Sequence, residues 1–120
     1  MVRLKIYKMK KSDINFQVSL DDQNVPKKIL WEASDKESIG LESTNSISLN
    51  VWDNLNQSTL RIDLWTEEMS VAEMKRFYID IMGGMAQTIL NSTGDEYMSE
   101  EIKALCDRLV QHVNEENKNS

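Results

Sequence analysis

Apolar residues alternate with polar ones through four short stretches of the first half of the chain, then recur every three or four residues in the second half. Ile14, Phe16, Val18 and Leu20 alternate with Asn15, Gln17 and Ser19, the pattern of a half-buried strand. Asp21-Asp22-Gln23-Asn24 is a turn cluster, and Pro26 holds Val25 extended. Ile29, Trp31 and Ala33 mark a second strand, and the polar residues 34–45, with Gly40, read as a longer loop. Ile47, Leu49 and Val51 form a third strand, Asp53 to Ser58 its hairpin connection, and Leu60, Ile62 and Leu64 a fourth.

The period changes between Leu64 and Val71. Met69-Ser70-Val71-Ala72-Glu73-Met74 carries a helix start in which Ser70 caps the amide of Glu73, Glu73 reaches back to Ser70, and Met69 staples onto Met74. The spacing of Val71, Met74, Tyr78, Ile81, Met82, Met85 and Ile89 predicts a helix to about Asn91, roughly 30 Å long. Gly83-Gly84 inside it costs about 2 kcal/mol of helix propensity, which implies a kink or, better in keeping with the in-phase stripe, a close neighbour. Gly94 suits the left-handed position past the helix end. Ser99 is the expected cap of a second helix whose stripe is Ile102, Leu105, Cys106, Leu109, Val110 and Val113. Residues 114–120 offer nothing to bury and are expected to be a disordered tail.

These elements predict an α+β fold: a four-stranded antiparallel meander followed by two amphipathic helices packed on one face, a two-layer sandwich. The expected organisation is a basic extension over residues 1–11, one domain over 12–113 and the tail. Length agrees, since 120 residues is near the commonest domain size.

Charge narrows the function. The net charge of −6 conceals five cations and no acid in residues 1–12, so the remainder carries −11. An acidic body repels phosphate backbones, which argues against nucleic-acid binding. The start MVRLKIYKMKK lacks the apolar core of a secretory signal, and no apolar run reaches the ~20 residues of a membrane span. A cytoplasmic location is expected, and the basic arm, lacking an apolar moment, makes only a weak anchor to anionic lipid. The alternation of Val2, Leu4 and Ile6 also permits an extra edge strand.

Catalytic and metal chemistry find little support. The single His112 and single Cys106 cannot build a zinc site or a cysteine-based framework, and no cofactor motif is present. Cys106 reads as a small core hydrophobe, and the paired carboxylates fall in turns and helix starts, where solvation accounts for them. Core filling explains the methionines around the first helix better than a recognition surface does. The third and fourth strands hold more. If Trp52 sits opposite Thr59, then Asn50 pairs with Arg61, Ser48 with Asp63 and Ser46 with Trp65. Trp52, Asn50, Arg61, Asp63 and Trp65 then share the face opposite the aliphatic one, a composition suited to protein binding. In the competing arrangement Trp65 packs under the chain entering the helix and Trp52 folds over the loop.

Several segments together resemble the GldC family of gliding-motility proteins of the Bacteroidota. They are Leu20-Asp21-Asp22; Val25-Pro26-Lys27-Lys28-Ile29 with Trp31; Val51-Trp52-Asp53; Thr59-Leu60-Arg61-Ile62-Asp63-Leu64-Trp65-Thr66; Met69, Val71, Glu73-Met74-Lys75 and Phe77; then Met85-Ala86, Thr88, Met98 and Cys106-Asp107. Arg61-Ile62-Asp63-Leu64-Trp65-Thr66 is the most specific block. The resemblance implies a non-enzymatic accessory protein of the gliding apparatus and its linked secretion system, acting through contacts with other proteins of that machinery. Homo-oligomerisation stays open. Family chains begin near Met9, so residues 1–8 are an extension or the product of an upstream start. The alternative reading is a chaperone-like module for unfolded or exported clients, on fold-level analogy.

Overall fold

The computed structural model of the chain describes residues 9–119. The proposed extra strand at Val2, Leu4 and Ile6 and most of the basic arm lie outside the described residues. The chain divides into two compact units, Met1–Met69 and Ser70–Ser120. The first holds the strands and the second the helices.

Five strands form in the first unit: β1 (Ile14–Leu20), β2 (Pro26–Ala33), β3 (Glu42–Thr44), β4 (Ser46–Asp53) and β5 (Ser58–Trp65). All pairings are antiparallel, as the alternation predicts. The meander is divided, however, into a sheet ordered β1-β2-β3 and a separate β4-β5 hairpin. The extra strand comes from the segment expected to be loop, where Thr44 pairs with Ile29 and Glu42 with Trp31. A strand has two edges. With β1 on one side of β2 and β3 on the other, β4 is left with β5 alone. At the break the Thr44 hydroxyl accepts from Ser46 N and donates to Ser46 O, standing in for a ladder partner. Lys36 fastens β3 back by reaching over the Trp31 ring at 5.1 Å and pairing with Glu42 at 3.0 Å.

Carboxylates hold both turns. Asp21 accepts from the amides of Gln23 and Val25 at 2.8 and 2.9 Å, and Asn24 takes a positive φ of 62° that asparagine tolerates. The Val25 amide chiefly, with the Gln23 amide and Lys27, lowers the Asp21 pKa. Asp53 accepts from Leu55 and Asn56 amides at 3.0 and 3.1 Å, and its pKa is lowered mainly by the Asn56 amide. Ile29, on the central strand of three, is fully buried. Its partner Val18 on β1 is half-buried, and Ile14, Phe16 and Leu20 on that strand are exposed.

In the second unit α1 spans Val71–Thr93 and α2 spans Glu96–Lys118. The predicted capping box is present: Glu73 N donates to Ser70 Oγ at 3.1 Å, and Ser70 N to Glu73 Oε1 at 3.2 Å. Gly94 ends α1 at φ 73°, its amide donating to Leu90 O.

Three expectations are corrected here. Asp95, not Ser99, caps α2, accepting from Met98 N at 2.9 Å, because an equally good cap lies directly after Gly94. Ser99 instead lies buried inside α2 and donates its hydroxyl to Ala86 O at 2.8 Å. Residues 114–118 are helical, and Glu116 is held by Lys75 of α1 at 2.8 Å, a cross-helix bond that periodicity cannot show. Finally, a Cβ at Gly83 or Gly84 would meet nothing within 4 Å, so close approach is not why they are glycine.

The helix seam runs through small residues. Ala86, Ser99 and Cys106 are the buried positions of the two helices, and Cys106 Sγ lies 3.9 Å from Ile79 O. The expected α2 stripe is only partly covered, since Leu105 and Val110 remain exposed. Among the described residues no helix is long and apolar enough to cross a membrane.

Candidate functional site: the two-indole face of the β4–β5 hairpin

The hairpin register is the one that alternation gives. Trp52 pairs with Thr59, Asn50 with Arg61, Ser48 with Asp63 and Ser46 with Trp65, while Ile47, Leu49 and Val51 pair with Leu64, Ile62 and Leu60. Period-two side chains then sort themselves onto two faces. One face is aliphatic. The other carries the two indoles and the polar residues between them.

Hydrogen bonds tie the polar middle into a ladder. Arg61 Nη1 donates to Asn50 Oδ1 at 2.8 Å across the strands, and Arg61 Nη2 contacts both Asp63 oxygens at 3.2 and 3.3 Å. Ser48 Oγ donates to Asp63 Oδ1 at 2.8 Å. Asp63 is half-buried and Arg61 half-exposed. The guanidinium is therefore fixed at its acidic and amide neighbours while its outer side faces water. A held arginine loses less side-chain entropy on meeting a partner than a free one.

The indoles stand at the ends of this ladder. Trp52 lies six positions beyond Ser46, the residue opposite Trp65, which at strand rise places the indoles about 20 Å apart. Trp52 is 56% exposed and Trp65 53% exposed. Trp65 forms one wall of a shallow groove of about 220 Å3, completed by Val25, Pro26, Asp63 and Leu64. No local pattern marks Val25 and Pro26 as part of this site, because their approach to β5 is tertiary. Beside the groove, Lys27 pairs with Glu67 and with Asp21 at 3.7 Å, and the Glu67 contact chiefly raises the Lys27 pKa.

The aliphatic face is uncovered toward the hairpin tip, where Val51, Leu60, Ile62 and Leu55 are exposed. Elsewhere, His112 sits 3.2 Å from Glu116 on the surface of α2, and Cys106 is buried as expected of a small hydrophobe. Among the described residues no three potential metal-binding side chains converge.

Comparisons with curated proteins and with solved structures give no match. A family model described as gliding motility-associated protein GldC-like matches residues 26–115, a span containing the hairpin and all but the last turn of α2. The chain therefore belongs to the GldC-like family of gliding motility-associated proteins.

Proposed function

We propose that this protein is a non-enzymatic adaptor of the gliding-motility apparatus and its linked secretion machinery, binding a protein component through the two-indole face. The observation that carries this reading is the pair of half-exposed tryptophans flanking a pre-ordered arginine. Tryptophan and arginine dominate the energetics of protein interfaces, and order established before binding reduces its entropic cost. The expected site is Trp52, Asn50, Arg61, Asp63 and Trp65, extended by the Val25-Pro26 wall of the groove. The adaptor works in the cytoplasm or at the inner face of the inner membrane, without inserting into it. It needs no cofactor, metal or nucleic acid.

Affinity capture from a gliding bacterium, with mass spectrometry, tests the reading. Wild-type bait should enrich a motility or secretion component that the Trp52→Ala/Trp65→Ala bait loses while keeping its circular dichroism spectrum. Equal capture by the folded double variant would rule this face out.

The exposed aliphatic patch Val51, Leu60, Ile62 and Leu55 supports a second reading, a chaperone-like module for unfolded or exported clients. Light scattering of an aggregating client separates the two. A chaperone suppresses the signal at stoichiometric amounts and a dedicated adaptor leaves it unchanged.

A further inference from the structure

β1 is an edge strand, and among the described residues nothing pairs with its outer side. Ser34 N donates to Asp13 O at 3.0 Å, which sets the phase of the ladder with β2. Asn15, Gln17 and Ser19 therefore turn their amides and carbonyls inward, and those of Ile14, Phe16 and Val18 point outward. Edges are ordinarily protected by charge, proline, a mid-strand bulge or shortness. The sequence INFQVSL has no charge and no proline, and its irregularity is confined to the Ser19/Leu20 end. The apolar side chains toward its two ends are also uncovered: Ile14 is 64% and Leu20 52% exposed, while Val18 is half-buried beside its partner Ile29, which is 0% exposed. The apolar surface thus continues to the open edge and stops there.

The residues around the strand say what completes it. Exposed Lys10 and Lys11 precede β1, with exposed Asp13 between them and the strand, and exposed Asp22 follows it. β3 is three residues long and carries Glu42, and β5 carries Arg61 and Asp63. β4 is neutral from Ser46 to Trp52 but has no cation near either end. Among the described strands only β1 joins a neutral edge to a net positive segment before it (Lys10, Lys11 and Asp13) and an acidic one after it (Asp21 and Asp22).

We propose that β1 pairs antiparallel with β1 of a second copy of this chain, about a two-fold axis at Gln17, to make one six-stranded sheet. Phase and chemistry agree on this register. With Gln17 on the axis, Phe16 meets Val18 of the second copy, both residues whose main-chain groups point outward, and Ile14 meets Leu20. Phe16 and Val18 alone exchange about four main-chain hydrogen bonds across the axis. Lys10 and Lys11 of each copy come beside Asp22 of the other, and Asp13 comes opposite Asp21. Asp21 stays with the amides of its own turn. A two-fold pairing uses each of these contacts twice, as an isologous interface requires.

Disulfide trapping with the full chain tests the register. Gln17→Cys in a Cys106→Ala background should form a covalent dimer under mild oxidation. A non-hydrogen-bonded antiparallel pair places its Cα atoms about 4.5 Å apart, within disulfide reach. Asn15→Cys should crosslink to Ser19→Cys but not to itself. By sedimentation the wild type should be dimeric at about 0.1 mM, and Gln17→Lys, which sets two cations against each other, should weaken the dimer about tenfold or more with unchanged circular dichroism. Trp52→Ala/Trp65→Ala should leave the crosslink intact, separating this interface from the two-indole face. A monomer at that concentration would overturn the proposal, as would a dimer in which Gln17→Cys does not crosslink. Dimerisation appearing only after deletion of residues 1–8 would likewise overturn it and give the edge to the chain's own N-terminus.

Discussion

The three-stranded sheet and the helix pair bury their interiors by opposite means. In the sheet, the fully buried position is a large β-branched residue, Ile29, on the one strand with a neighbour on both sides. In the helix pair the buried positions are Ala86, Ser99 and Cys106, while larger members of the same apolar stripe, Leu105 and Val110, stay exposed. Strands sit at a fixed ladder spacing, so depth in the sheet decides burial and a large side chain fills it. Helices approach as closely as their side chains permit, so small residues define the seam and a backbone carbonyl can be reached by a serine hydroxyl. The same apolar letter therefore carries different weight in the two units.

The largest expected break in that comparison is Ile29→Ala. Removing a fully buried isoleucine should cost about 3 kcal/mol, read as a lower urea midpoint at an unchanged slope. A cost below about 1 kcal/mol would mean the sheet has no packed centre. Next comes overfilling the helix seam. Ala86→Leu should destabilise by about 2 kcal/mol, whereas Leu105→Ala, exposed on the same helix pair, should cost less than about 1 kcal/mol. If the order were reversed, the seam would not be a small-residue contact.

Gly83→Ala and Gly84→Ala sharpen the picture in the other direction. With open space around both positions, each should raise stability by about 1 kcal/mol through helix propensity. A loss would reveal a neighbour at that point of α1. The smallest effect is electrostatic. Lys75, first as a hydrogen-bond donor and then through its charge, lowers the Glu116 pKa. The folded value lies below the unfolded one, so the contribution is present above the ordinary glutamate value of about 4.5 and is lost as pH falls below it. The difference in Tm between wild type and Glu116→Gln should therefore be seen at pH 7 and fade near pH 3. A difference that grew on acidification would contradict the sign. Exposure of both side chains keeps this term modest.

Much of this was legible in local pattern. Period two put Trp52, Asn50, Arg61, Asp63 and Trp65 on one face, and the observed register agrees pair by pair. Ser70 and Glu73 read as a capping box because both partners lie within one helical turn. The misreadings share a cause. β3 was hidden in a polar loop because its three residues have no period of their own and become a strand only by lying along β2. Ser99 reads as a cap because serine bonds backbone groups in either setting, and only the nearness of Ala86 O shows which one. The groove beside Trp65 needed Val25 and Pro26, nearly forty residues away along the chain.

The amino-acid order by itself determined the strand faces, the α1 caps and the resemblance that the family match now supports, because each depends on residues within a few positions of one another. Only the tertiary structure decided that β4 leaves β2, which apolar residues are covered, and that the helix seam runs through Ala86, Ser99 and Cys106. Those outcomes follow from competition for a limited number of edges and for close approach. Such competition is resolved only among segments distant in the chain.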